Sequence, residues 1–377
     1  MSERKVNKIL FYSPVHLMHG GGCERWHIDV TTRLKKAGYE VKIITGDFGN
    51  NDLPEVEVRQ RLGSISYTEV HTRSAWGGAA RVPDKQAEQV LAEAFEWADA
   101  VHFIFGFIGQ DLLIRRLKRR FGTKVIVGIH APLFYENRWH NWYVATISRY
   151  LTMPSFDGFM ALNPGEYQKL KKWRLPHINF IPSGVDVDKF VAKPDQRDPK
   201  TLTFLFAGRF EVQKAPDLAA KGIARFLKKS GAEDVCFRFI GSGSMEHYLK
   251  ELKEKYPKQI DLVGYTTQPV PYFQSCDVFF LPSRQEPFGL VIVEAMATGA
   301  PVLASKAEGP VLMISEGKTG WFIDPLDSKT IAARLADVYN LWQKNHQVFL
   351  GWQKRLRLQG EKYSIDASVD KMRKTFF

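Results

Sequence analysis

Two carboxylates, Glu286 and Glu294, are separated by seven residues in the run Ser-Arg-Gln-Glu-Pro-Phe-Gly-Leu-Val-Ile-Val-Glu-Ala-Met-Ala-Thr-Gly-Ala-Pro-Val, residues 283–302. The apolar run Val278–Leu281 before it reads as a buried parallel strand. Glu286 falls in the polar loop that follows. Pro287 fits just ahead of a helix or in its first turn, where its missing N–H costs nothing. That helix is apolar from 290 to 297 except for Glu294, and Gly299 with Pro301 ends it. A helix start offers free N–H groups and a positive dipole end, a ready site for phosphate. A carboxylate in apolar surroundings needs hydrogen bonds, and sugar hydroxyls are suitable donors. The pieces describe a nucleotide-sugar site. The same residue types also fit a solvated Glu286 and a Glu294 paired with a basic neighbour in the core.

Other candidates surround this pair in the sequence. Arg209 and Lys214 follow the apolar run Leu202–Ala207, at a strand's carboxyl end, where two cations can hold a diphosphate. As surface cations they would need no ligand at all. His130 follows the strand Lys124–Ile129, and ligands of open parallel sheets lie beyond such carboxyl ends. It can equally be a satisfied structural histidine. Three successive glycines, Gly20 to Gly22, precede a helix over 24–37 and a strand at Val41–Ile44, the opening of a Rossmann-like unit. Their spacing is not that of the dinucleotide fingerprint.

The two-glutamate stretch resembles the signature of the retaining glycosyltransferases of family 4, which have the GT-B fold. The likeness extends to Gly-Gly-Gly-Cys-Glu-Arg at 20–25, Ser-Gly-Val-Asp at 183–186, Gly208-Arg209 with Lys214, and Gly317 to Pro325. It implies that Glu286 contacts the donor sugar and Glu294 the ribose. The amides of Phe288, Gly289 and Leu290 would take the diphosphate side, and Tyr265 would lie against the nucleobase. Gly21 and Gly22 would let donor and acceptor approach the backbone, and His130 would stand near the donor sugar. Arg209 and Lys214 would stabilise the leaving diphosphate, so neither a metal nor a cofactor is implied and the nucleotide sugar is itself a substrate. Two departures are visible: Ala215 replaces a glycine, and Glu308-Gly309-Pro310 replaces a glycine pair followed by an acid.

The elements that must position these residues read as two α/β domains. A chain of 377 residues with 44% hydrophobic and 25% charged residues is an ordinary soluble globule, long for one core. The expected fold is α/β, two Rossmann-like domains facing a central cleft. The limits expected are 1–190 for the acceptor side, 191–358 for the nucleotide-sugar side, and 359–377 for a helix crossing back to the first domain. Residues 191–200, rich in Lys, Pro and Asp, read as the linker. Residues 50–85, with Gly77-Gly78, read as polar and irregular. Ile365, Val369, Met372 and Phe376 share one helical face.

Three distant cysteines suggest a reducing compartment and no disulfide framework. The N-terminus has no signal-peptide pattern and no uncharged apolar run has transmembrane length, so the location expected is cytoplasmic. Net charge is +12, and residues 101–180 hold 12 Lys/Arg against 4 Asp/Glu, or 12 − 4 = +8. A basic helix at 110–121 and the segment from Tyr135 to Leu151, with Trp139, His140, Trp142, Tyr143, Arg149 and Tyr150, suit an anionic membrane surface, or else a core helix and a loop. Peripheral attachment at the inner membrane face is therefore expected. The function expected is transfer from a UDP- or GDP-sugar to a hydroxyl of a glycan or lipid-linked acceptor, with retention. The rivals are a nucleotide-sugar epimerase or hydrolase of the same fold, and a basic nucleic-acid-binding protein. Carboxylates in the site argue against the last, and no nucleic-acid partner is expected.

Overall fold

A computed structural model describes residues 6–49, 52–75, 80–130, 133–134 and 137–377. Gly77, Gly78, Ala131, Pro132 and Tyr135 lie outside them. The chain divides into two units: residues up to Ser183 together with Ile365–Phe377, and Gly184–Ser364.

The first unit is built on a parallel sheet of β1 (Lys8–Val15), β2 (Glu40–Phe48), β3 (Ser66–Val70), β6 (Ala100–Ile104), β7 (Lys124–Ile129), β8 (Gly158–Ala161) and β9 (Ile178–Phe180). A short antiparallel hairpin, β4 (Thr72–Ala75) with β5 (Ala80–Pro83), stands apart from it. The sheet order is β3-β2-β1-β6-β7-β8-β9. The chain reverses direction across the sheet between β1 and β6, the switch point where such sheets bind ligands. The inner strands are apolar on both faces because helices cover both, which is why they read as continuous apolar runs. Residues 50–85 are more regular than expected: helix Glu55–Leu62 leads to β3, the sheet's edge. In β3 only Val70 is buried, so the strand lacks the apolar pattern that would mark it.

Helix Ile365–Phe376 completes the first unit. Its Ile365, Val369, Met372 and Phe376 are all buried, each contributing about 1.5–3 kcal/mol by leaving water. Arg33 Nε to Asp366 (2.9 Å), Lys124 Nζ to the Phe376 carbonyl (2.8 Å) and Ser368 Oγ to the Pro182 carbonyl (2.9 Å) fix its register.

The second unit repeats the plan with β10 (Leu202–Ala207), β11 (Val235–Ile240), β12 (Ile260–Gly264), β13 (Val278–Leu281), β14 (Val302–Ser305) and β15 (Gly320–Ile323). All pair in parallel, in the order β12-β11-β10-β13-β14-β15. The switch point lies between β10 and β13, where Phe204 pairs with Val278 and Leu205 with Phe279. Residues 191–200, expected as the linker, fall within this unit, which begins at Gly184. Val185, Val187 and Phe190 are buried in its core. Arg197 donates from Nη2 to the Thr298 carbonyl at 3.0 Å. Within 191–200 Arg197 alone is buried, so the Lys/Pro/Asp composition marks a surface segment that follows the buried Val185, Val187 and Phe190.

Candidate functional site

In the second unit the loops after β10 and β13 leave adjacent strands, so the residues they carry meet. Lys214 Nζ donates to Glu286 Oε2, closing an ion pair whose side chains are 18% and 7% exposed. Gln213 holds the loops together: its carbonyl accepts from Arg284 N (2.8 Å), and its Nε2 donates to the Gln285 carbonyl (3.1 Å). Arg284 then forks onto Asp217, Nη1 to Oδ1 at 2.8 Å and Nη2 to Oδ2 at 2.7 Å. This two-pronged, charge-assisted contact lowers the Asp217 pKa and raises that of Arg284. Gln213, Asp217 and Arg284 were not singled out in the sequence, because nothing local marks residues 67 positions apart as partners.

Glu286 is seated by its backbone as well, its carbonyl accepting from Gly309 N at 2.8 Å. The helix beyond it runs Leu290–Ala297, with Gly289 as N-cap at φ +95 and no side-chain cap. That left-handed backbone favours glycine. Ile292 N donates to the Gly289 carbonyl at 2.9 Å, and no side chain caps the helix start. Glu294 lies on this helix, 9% exposed among buried Ile292, Val293, Ala295 and Met296. Phe288 is buried against Tyr363, ring centroids 5.8 Å apart.

Arg209 is exposed, directly after Gly208. Beside it Glu211 accepts from Ser244 Oγ (2.6 Å) and Ser244 N (2.9 Å), which hold its carboxyl below the usual range with help from Arg209. The two turns approach so closely that a Cβ on Gly241 would lie 2.0 Å from the Gly208 carbonyl oxygen. Tyr265 is half-exposed at the carboxyl end of β12. Ala215, the replaced glycine, is buried at φ +55, ψ 49. A left-handed residue with a Cβ costs about 1–2 kcal/mol, partly offset by the greater unfolded-state freedom of glycine. Ala215→Gly is therefore expected to stabilise the chain by about 0.5–1 kcal/mol, read as a higher denaturant midpoint at unchanged slope.

Asp186-Val187-Asp188 has the Asp-x-Asp spacing of many metal sites, a pattern that the expectation of no metal passed over. Both carboxylates have cationic partners, Asp186 with Lys189 (3.2 Å) and Asp188 with Arg357 (3.1 Å). No group of three metal-ligating side chains occurs among the described residues.

In the first unit, Gly21 is the N-cap of helix Gly22–Lys36, which has no side-chain cap. A Cβ on Gly21 would stand 2.6 Å from Glu24 Oε2, so the helix's own carboxylate adds a reason for glycine there. His130 does not stand alone. Its ring packs on Trp26 (4.5 Å between centroids), His102 (5.7 Å) and His27 (6.1 Å). His130 Nε2 and both ring nitrogens of His27 and His102 are buried without a hydrogen-bond partner. The sequence could not show this cluster, since its members come from a helix, β6 and the end of β7.

Burial lowers the pKa of all three histidines, to about 3 for His27, and their mutual repulsion lowers those of His102 and His130 further. In the unfolded chain they titrate near 6.5, roughly. Depressed folded values mean that the unfolded state binds more protons. The stability they contribute is present above about pH 6.5 and lost as pH falls below it. Asp277 acts oppositely in the second unit. Burial raises its pKa to about 6, so its contribution is present at lower pH and lost as pH rises through that value. Calorimetry should show the first unit losing stability between about pH 7.5 and 5.5, with a flatter profile in His102→Phe. An unchanged slope in that variant would remove the cluster as the cause.

Comparison with known proteins identifies the family and the fold. The model for glycosyl transferases group 1 matches residues 188–349 and that for Glycosyltransferase Family 4 residues 20–189. The D-inositol 3-phosphate glycosyltransferase of Paenarthrobacter aurescens is 28% identical over 213 residues, 50% of this chain and 52% of that one. This chain thus matches about half the length of that relative. An uncharacterized glycosyltransferase of Haemophilus influenzae is 22% identical over 97% of this chain and 98% of its own. The crystal structure of Anabaena HepE in complex with UDP and glucose superposes with a TM-score of 0.76 at 15% identity, covering 98% of this chain and 99% of that one. The fold is that of the GT-B glycosyltransferases. The chain belongs to glycosyltransferase family 4, with the group 1 domain as its second unit.

Proposed function

We propose that the chain transfers a sugar from a nucleoside-diphosphate sugar to an acceptor hydroxyl, with retention of anomeric configuration. The observation that carries this is the Lys214–Glu286 pair, held by Gln213 beside the uncapped helix start at Gly289. Lys214, Arg209 and the helix amides stabilise charge growing on the leaving diphosphate. Glu286 orients the donor sugar, and Glu294 accepts from the ribose. The donor C1–O bond breaks, a new C1–O bond forms to the acceptor, and the acceptor's proton leaves with the nucleoside diphosphate. UDP is the first nucleotide to try, since the Anabaena neighbour holds UDP and glucose. The test is calorimetry with UDP and GDP, then donor turnover with and without acceptors, and NMR of the product's anomeric centre. Turnover without acceptor at the rate of the best acceptor would favour an epimerase or hydrolase instead. Loss of activity in EDTA with recovery on Mg²⁺ or Mn²⁺ would replace the metal-free scheme.

We also propose that the acceptor is met at an anionic membrane surface. No helix among the described residues is long and apolar enough to cross a membrane. The basic helix Gln110–Phe121 argues less for this than its sequence does: Leu113, Ile114 and Leu117 are buried in the core, Arg116 pairs with Glu88, and Lys118 with Asp157. The segment after it argues more. Trp139 and Tyr150 are 70% exposed and Trp142 54%, with Leu151 and Arg149 alongside. Exposed aromatic and basic side chains suit a lipid headgroup layer, with about 1 kcal/mol per basic residue near it. The chain should float with anionic vesicles at low salt and detach at high salt. Absence from anionic vesicles at low salt would make a soluble acceptor the better reading.

A further inference from the structure

The carboxyl ends of β2 and β6 carry a second group of side chains, unused by the donor chemistry. Phe48 closes β2 and is 36% exposed. Phe107, just past β6, stands edge-on to it, with ring centroids 5.2 Å apart. Arg81, on β5, lays its guanidinium over the Phe48 ring at 4.3 Å. Its Nε is buried without a hydrogen-bond partner, and no carboxylate pairs with it among the described residues. His16, in the loop after β1, donates its backbone N–H to the Phe48 carbonyl at 3.1 Å. Its imidazole lies against Gly49, where a Cβ would stand 2.9 Å from Nε2. His16 is 4% exposed, and that Nε2 too is buried and unpartnered.

Two of these features, the partly open Phe48 ring and the Arg81 guanidinium, suit a ligand. A half-buried guanidinium with no counter-charge is costly unless an anion meets it. A partly open aromatic ring is a platform for the apolar C–H face of a sugar. His16 is buried and backs the group, its ring packed against Gly49. The group also adjoins the glycine loop, since the same Cβ on Gly49 would lie 2.9 Å from His19 Cβ.

We infer that this is the acceptor subsite and that it takes a sugar bearing an anionic group, either a carboxylate or a phosphate. Phe48 stacks the ring, and Arg81 takes the anion through its terminal NH2 groups, its Nε being enclosed. The inference rests on the glycosyl-transfer reading above and narrows its acceptor.

The experiment titrates the full chain with two matched pairs: glucuronic acid against glucose, and N-acetylglucosamine 1-phosphate against N-acetylglucosamine. UDP and GDP are titrated on the same sample. The anionic member of at least one pair should bind about tenfold tighter or more than its neutral partner, and the pair that responds tells carboxylate from phosphate. Arg81→Gln should abolish that preference and leave nucleotide affinity unchanged. Phe48→Ala should weaken both members of the responding pair. Equal affinities within both pairs, no saturable binding of either anionic sugar, or a preference that survives Arg81→Gln overturns the subsite. If UDP or GDP still binds, the donor reading stands; if neither binds, that reading fails too.

Discussion

Lys214→Ala is expected to lower kcat/KM by about 10²–10³-fold, the usual loss when one preorganised partner of transition-state charge is removed. Lys214 Nζ has three donors, and Glu286 takes one. The others are left for phosphate oxygens. Alanine removes the cation and also strands Glu286, which is 7% exposed. Breaking one side of a buried pair costs about 3–5 kcal/mol of stability, so folding and catalysis must be separated. Glu286→Gln in the Lys214→Ala background removes the stranded charge and should recover thermal stability without recovering turnover. Lys214→Arg keeps the charge but changes its reach, and should fall between wild type and alanine. The assignment fails if folded Lys214→Ala keeps kcat/KM within about threefold of wild type.

Glu294→Gln is expected to weaken nucleoside-diphosphate binding by about ten- to a hundredfold. Hydrogen bonds to a charged acceptor are worth about 1.5–3 kcal/mol, and the amide is a poorer acceptor of the same shape. Glu294 lies on an otherwise apolar helix, where an ionised carboxylate is held only by its hydrogen bonds. The substitution should leave the unfolding transition nearly in place, because shape and packing are unchanged. Calorimetry with UDP and GDP reads the effect. Affinity equal to wild type in the folded variant would take the ribose away from Glu294.

Local pattern carried much of this far. Continuous apolar runs marked β7, β10 and β13, because strands covered on both faces have nearly every residue buried. The face Ile365, Val369, Met372 and Phe376 marked the last helix, because period 3.6 is local to one helix. The run from Ser283 to Val302 marked the candidate donor site, because loop, helix start and carboxylates are consecutive there.

Local pattern misled where burial was partial or came from afar. β3 reads Ser-Tyr-Thr-Glu-Val and pairs with β2 alone. An edge strand with one buried residue has no apolar alternation to read. Residues 191–200 read as a linker, yet Arg197 within them is buried in the second unit and donates to the Thr298 carbonyl 101 residues away.

The sequence by itself determined which residue types are present at the candidate site, which elements carry them, and that two sheet-forming halves exist. Only the tertiary structure decided which side chains touch. Lys214 meets Glu286 across 72 residues because β10 pairs with β13 rather than with β12. His27, His102 and His130 cluster because β6 lies between β1 and β7 while the helix carrying His27 covers that face. Phe48, Phe107 and Arg81 meet at the ends of three separate strands. Strand order is a long-range choice, set by how whole apolar faces pack and by loop closure, and neither quantity is encoded in the spacing of neighbouring residues.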